Sequence, residues 1–192
     1  MAASTLCPIL ETVVTTLNPD GSVNCAAMGV EWGEQRIVIK PYRGTRTLRN
    51  LRATEAAVVN LTDDILLFSQ AALGDPQPPT RPAARVEGAV LDEACSWREV
   101  RVEAVDDGEP RARVSTLVVG GGRGREFLGF NRACHAVLEA SILASRARRL
   151  PAAEIRDELG RLQVLVDKTA GPREAEAMAY VTRHVRSVVP DG

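Results

Sequence analysis

The chain has 192 residues, of which 45% are hydrophobic, enough to bury one sizeable core. Its formal net charge of -1 argues against a nucleic-acid binder held by bulk charge. No run of about 18 apolar residues occurs, so no membrane span is expected. The four cysteines, Cys7, Cys25, Cys95 and Cys134, form no CxxC and no metal-like spacing with the two histidines. They are read as reduced and packed. The start, MAASTLCPILE, has no basic region and too short an apolar stretch for a signal peptide, so the expected compartment is the cytoplasm.

In chain order, PILETVVTTL and SVNCAAMGV are β-prone runs joined by NPDG, where Pro fixes φ and Gly permits a positive φ. This predicts an antiparallel hairpin. EWGE gives a second turn and QRIVIK a third strand. TRTLRNLRAT, apolar at Leu48 and Leu51, suits a short helix capped by Thr45 or Thr47. AAVVNL reads as a buried strand, and TDDILLFSQAAL as a helix opened by a Thr or Asp cap. The Pro-rich GDPQPPTRPA is expected to be a surface excursion. Two longer strands follow, SWREVRVEAVDD and PRARVSTLVVGGG, with Gly108 in the turn between them. Strands at this spacing imply an antiparallel barrel or sandwich.

The period changes near residue 130. NRACHAVLEASILASRARRL places Ala133, Val137, Ala140 and Leu143/Ala144 on one helix face. The two segments that follow begin with Pro151 and Pro172, each expected at the first helical position. The division is therefore residues 1–130 as a β domain and 131–192 as a helical subdomain.

The stretch KPYRGTRTLRNL concentrates Lys40, Arg43, Arg46 and Arg49, with Arg52 next. A helix starting near Thr45 would aim backbone N–H groups at the PYRG loop, where anions are favoured. Arg43, Arg46 and Arg49 could add guanidinium forks matched to phosphate, and Thr45 and Thr47 hydroxyl donors. Gly44 would let the backbone approach closely. The alternative is a short surface helix with solvated arginines. No GxGxxG or GxxxxGK[ST] is present. The small residues of SVNCAAMGV, Gly29 above all, leave room for a flat ring against the strand, or simply pack under a bulky neighbour. Asn60, Thr62 and Asp63 could read polar ring edges, or cap a helix. Arg132, His135, Glu139 and Arg146 share a helix face, with His135 and Glu139 spaced to bond across a turn. No metal site is expected. Nothing resembles a GxSxG elbow or a paired nucleophile and base.

Together ETVVTTLNPDGSVNCAAMGV, KPYRGTRTLRNL, AAVVNLTDD and FNRACHAVLEASILASR resemble an uncharacterised family within the FMN-binding split-barrel, flavin-reductase-like superfamily, known from archaea and methanopterin-linked bacteria. The resemblance implies a six-stranded antiparallel split β-barrel of the FMN-binding type, a C-terminal helical subdomain and a homodimer with flavin near its interface. It implies FMN as cofactor, its phosphate held around Arg43, Thr45, Thr47 and Asn50, with Arg46 or Arg49. The ring would pass the backbone from Asn24 through Ala26 and Met28 to Gly29, and the Asn60–Thr62 edge. His135 is the first residue to test for chemistry. Two positions depart from the family pattern: Ala27 stands where a proline is expected, and Cys134 where lysine is more usual. The implied function is FMN binding in a flavin-dependent oxidoreductase, reducing flavin or a small planar substrate with NAD(P)H or another donor. The alternative is a non-catalytic flavin- or phosphate-ligand-binding dimer in a cofactor or one-carbon pathway. Neither nucleic acid nor membrane is an expected partner.

Overall fold

The structure, a computed structural model, describes residues 7–108 and 110–189. The chain divides into two compact units: Met1–Leu61 with Gln77–Arg125, and Thr62–Pro76 with Glu126–Gly192.

The first unit is a closed six-stranded antiparallel barrel. Its strands are β1 (Ile9–Leu17), β2 (Val23–Trp32), β3 (Arg36–Ile39), β4 (Ala56–Leu61), β7 (Ser96–Asp106) and β8 (Arg113–Arg123). They close in the order β1-β2-β3-β8-β7-β4. The β1–β2 connection is the expected tight turn: Gly21 N–H donates to Asn18 O at 2.9 Å, and Gly21 takes φ +83°. Alternate side chains fill the interior, among them Val14, Val30, Ile37, Ile39, Val59 and Val100. Helix α1 (Arg46–Thr54) adds Leu48 and Leu51 to the same core. Each of these leucines contributes about 1.5–3 kcal/mol of burial, which fixes the helix against the barrel.

The Pro-rich stretch is more ordered than the sequence suggests. Its strand β5 (Thr80–Pro82) pairs antiparallel with β6 (Ala89–Leu91) as a separate two-stranded sheet. Pro82 ends its strand, where a missing donor is tolerated. This small sheet is tied to the barrel by buried polar contacts. Thr15 Oγ1 donates to Ala89 O at 2.5 Å, and Leu91 N–H donates to Asn60 Oδ1 at 3.0 Å. Nearby, the buried Glu99 carboxylate accepts from Arg85 N–H at 2.5 Å and from the Trp97 indole N–H at 3.4 Å.

The second unit holds α2 (Ile65–Leu73), α3 (Arg132–Ala144), α4 (Ala152–Thr169) and α5 (Pro172–Val188). Helix α3 packs against α2, α4 and α5 through Ala133, Val137, Ala140 and Ala144, the face read from the sequence. It stops at Ala144, short of the predicted run, and a 3-10 turn follows at Ala147–Arg149. Pro172 occupies the first position of α5, whereas Pro151 sits one place earlier, as the cap of α4. The cap of α2 is Asp64, not Thr62 or Asp63; its Oδ1 accepts from Leu66 and Leu67 N–H, both at 3.1 Å. Among the described residues no helix is long and apolar enough to cross a membrane.

Candidate functional site

Thr45 is the N-cap of α1. Its extended backbone (φ -72°, ψ 155°) turns the chain into the helix, and its Oγ1 accepts from Leu48 N–H at 3.4 Å. The first intrahelical bond runs from Arg49 N–H to Thr45 O at 3.2 Å, so the amides of Arg46 and Thr47 precede the ladder. Gly44, at φ +78° with open space around its Cα, makes the bend before the cap. Arg43, Arg46 and Arg49 are all exposed around this end. The helix thus presents its positive end together with three guanidinium groups, an arrangement suited to an anion.

Two further cations of the stretch form ion pairs with carboxylates. Lys40 pairs with Glu31, and Arg52 at the helix C-terminal turn pairs with Asp107. Arg113 also grips Glu31 with two bonds of 2.9 and 2.6 Å, and these cations hold the Glu31 carboxyl down to about 2. Beneath the bend, Arg111 lies 4.2 Å over the Tyr42 ring and donates to Tyr42 OH at 2.8 Å. Both pairings join residues far apart in sequence, so no local pattern signals them.

Three of the side chains expected at the phosphate have partners within the chain. The Thr45 hydroxyl donates its hydrogen to Tyr42 O at 2.8 Å, so it shapes the bend. Thr47 is buried, and its Oγ1 accepts from Asn24 Nδ2 at 3.1 Å. Asn50 is also buried; its Nδ2 spans Thr16 Oγ1 at 3.1 Å and Asn18 Oδ1 at 2.9 Å. Asn24 completes the network with a second bond to Thr16 Oγ1, at 3.1 Å. Asn24, Thr47 and Asn50 therefore brace α1 against β1 and β2. The cause is helix phase: Thr47, Leu48, Asn50 and Leu51 form the inward face, while Arg46 and Arg49 look out.

The stretch of β2 expected beside a ring has an unusual edge. β1 pairs with β2 along Val23–Glu31, but β3 joins β2 only at Val30, Glu31 and Trp32. Over residues 24–29 the second edge of β2 therefore has no strand partner among the described residues. Ala26, Ala27, Met28 and Gly29 are half-buried there, and Met28 packs against the barrel core. Gly29 lies opposite Glu11, and a Cβ at Gly29 would fall 2.8 Å from Ile9 Cγ2 and 2.9 Å from Glu11 Oε1. The room that glycine leaves is thus taken on that face by β1 side chains. The Asn24–Thr47 bond places the open edge next to the first turn of α1.

Asn60 is fully buried and its amide is saturated: Nδ2 reaches Val13 O at 3.1 Å, Thr15 Oγ1 at 3.2 Å and Val58 O at 3.3 Å, while Oδ1 accepts from Leu91. It locks β1, β4 and β6 together, leaving no amide edge for a ligand. In the helical unit, Thr62 Oγ1 accepts from Asp64 N–H at 3.0 Å, supporting the α2 cap. His135 is exposed and does not bond across the turn to Glu139; its ring lies 5.9 Å from that of Phe130. Cys134 lies 3.9 Å from Asp63 O; burial first, then Glu174, Asp63 and Asp64, push its thiol up to about 11. It is a protonated thiol at neutral pH, not a nucleophile. None of the four cysteines is in a disulfide. Among the described residues no group of three or more His, Cys, Asp or Glu side chains is placed to hold a metal.

Known proteins share this architecture. An FMN-bound protein from Methanosarcina mazei, in the same family, is 20% identical with a TM-score of 0.81, covering 96% of this chain and 100% of its own. The Pseudomonas fluorescens 2-nitrobenzoate 2-nitroreductase is 22% identical, with a TM-score of 0.51 over 64% of this chain and 67% of that one. The styrene monooxygenase flavin reductase of Pseudomonas putida S12 is 18% identical, with a TM-score of 0.52 over 60% and 79%. These likenesses establish a split-barrel fold of the FMN-binding kind. Residues 10–123 match the model for the N-terminal domain of a protein of unknown function (DUF447), and residues 131–183 match a second DUF447 model. The chain therefore belongs to the DUF447 family, the kind of split-barrel family its motif order suggests.

Proposed function

We propose that this chain binds FMN and serves as a flavin-dependent oxidoreductase. One observation carries the reading: the arginine-ringed N-terminus of α1 adjoins a length of β2 whose backbone edge lacks a strand partner. The first element suits a phosphate and the second suits the polar rim of a ring. Both lie in the barrel unit. The FMN carried by the Methanosarcina relative, over nearly the same chain length, supports the same ligand.

In this reading Arg43, Arg46 and Arg49 meet the phosphate, helped by the amides at the start of α1. Thr45 and Gly44 hold the bend open, and Asn24, Thr47 and Asn50 keep the helix in place. The residue 24–29 backbone of β2 faces the ring. Asn60 drops out as a ring contact, and Thr62 and His135 are kept only as residues to test. Bound FMN would supply hydride or electron transfer; the chain positions the ring and tunes it by hydrogen bonding. NAD(P)H or another donor, and a flavin or small planar substrate, would complete the reaction. The chain works as a homodimer, with flavin near the interface, in the cytoplasm.

The test is titration with FMN and with riboflavin. Replacing Arg43 and Arg46 with alanine should weaken FMN by roughly 10- to 100-fold, at about 1.5–3 kcal/mol for hydrogen bonds to a charged group. Riboflavin should change little. Equal losses for both ligands would move the phosphate elsewhere. If saturating FMN neither binds nor raises the melting temperature, the flavin reading fails. Turnover of NADH or NADPH by the FMN-loaded protein then separates an enzyme from a flavin carrier.

A further inference from the structure

Resting on the flavin reading above, we propose that Arg111, carried by the connection between β7 and β8, is a positioning residue for the FMN phosphate and acts through Tyr42.

Tyr42 stands at the start of the bend that leads into α1. Its carbonyl accepts twice from Thr45, from N–H at 3.3 Å and from Oγ1 at 2.8 Å. Thr45 caps the helix, so the place of Tyr42 O sets where the first amides of α1 point. The bend itself is pliant. Gly44 sits at φ +78° with open space around it, and Arg43 and Gly44 are exposed. Tyr42 is 40% exposed, so burial alone does not anchor it.

A distant stretch of chain holds this bend. Arg43 N–H donates to Pro110 O at 3.4 Å, and Ala112 N–H to Pro41 O at 3.1 Å. Between those bonds Tyr42 and Arg111 form an isolated antiparallel bridge. The side chains repeat the pairing: the Arg111 guanidinium lies 4.2 Å over the Tyr42 ring and donates to Tyr42 OH at 2.8 Å. The clamp has one firm side, because Ala112, next to Arg111, is fully buried in the barrel core. The stack and the hydrogen bond together favour the held bend by roughly 10- to 30-fold. The connection also touches the other end of α1, where Asp107 pairs with Arg52. Those side chains are 54% and 48% exposed, so that pair contributes little.

The bend carries no core side chain between Tyr42 and Thr45. What depends on it is the aim of the Arg46 and Thr47 amides and of the neighbouring guanidinium groups. A phosphate site needs such groups within about 0.5 Å of the productive place. Arg111 therefore serves the anion seat more than the stability of the barrel.

The experiment is a double-mutant cycle on the full chain, read by titration with FMN and with riboflavin. Arg111→Ala and Tyr42→Leu should each weaken FMN about tenfold and leave riboflavin within about twofold. The double variant should be no weaker than either single one, because the two side chains act as one contact. Tyr42→Phe, which keeps the ring and loses the hydroxyl acceptor, should fall between. Both side chains lie at the surface, so the melting of the variants should stay near that of the wild type. Additive losses in the double variant would make Arg111 a separate cation and overturn its action through Tyr42. Equal losses for both flavins, or none, would overturn it too. Amide exchange in the flavin-free protein reads the bend without a ligand: the Thr45 N–H should exchange several-fold faster in Arg111→Ala. Unchanged exchange would overturn the clamp even where FMN binds. A wild type that binds neither flavin would defeat the flavin reading, and the phosphate role with it, whatever the exchange shows.

Discussion

Asn50→Ala separates a brace from a ligand. The motif resemblance makes Asn50 a phosphate contact; the structure buries it, 3% exposed, with Nδ2 spent on Thr16 and Asn18. Removing the amide deletes two hydrogen bonds, each about 1 kcal/mol net. Thr16 keeps its bond from Asn24, so it is not orphaned, while the Asn18 oxygen loses this donor and turns toward solvent. The expected loss is therefore about 2 kcal/mol, or about 4–8 °C in melting temperature for a chain of this size. Urea denaturation without flavin measures it directly. FMN and riboflavin affinities should fall together and modestly, because the helix loosens without losing a phosphate donor. Unchanged stability, with FMN weakened much more than riboflavin, would refute the reasoning and return Asn50 to the ligand.

Three further outcomes follow from other contacts. Glu31 is held at about 2 against an ordinary 4.5, so its contribution is complete above pH 4.5, declines as the pH falls and is gone below about 2. Because Arg113 is 47% exposed, solvent limits this to about 1 kcal/mol, and Glu31→Gln should be less stable than wild type at pH 7, with the gap narrowing below pH 4.5 and closing toward pH 2 in urea titrations. Gly122→Ala would put a Cβ 2.4 Å from Trp97 Cζ2 and should cost about 1–3 kcal/mol, whereas Gly160→Ala, with nothing within 4 Å in the middle of α4, should gain about 0.5–1; thermal melts of the two check the sign. Asp64→Ala removes both the α2 cap and the bonds to Arg173 at 3.1 and 2.7 Å, for about 1–2 kcal/mol, and Asp64→Asn should recover the capping part in the same denaturation assay.

The β1–β2 hairpin, the Thr45 cap and the buried face of α3 were legible because each is written locally: a turn tetrapeptide, a capping hydroxyl, a periodic row of small residues. The β5–β6 sheet was not. Its prolines signal a loop, and its order comes from Thr15 and Asn60, whose contacts to it lie 74 and 31 residues away. The site was half legible. Gly44 and the arginines mark the proposed anion seat, but composition does not say which polar residues face inward. The phase of α1 decides that, turning Thr47 and Asn50 toward Asn24 and Thr16. The unpartnered edge of β2 depends on where β3 stops pairing, which no motif records.

The discontinuous helical unit has a consequence for synthesis. Helix α2 leaves the ribosome between two barrel strands, while α3 and α5, against which it packs, are more than fifty residues from being made. Until then Ile65, Leu66, Leu67 and Phe68, all buried in the finished molecule, have no helices to cover them. The nascent chain thus carries an adhesive segment while residues 74–131 are made, and the wait ends only after β7 and β8 have emerged. Chaperone demand should track the delay between α2 and α3, and synonymous changes that slow translation over residues 77–131 should cost soluble yield without altering a single contact in the native protein.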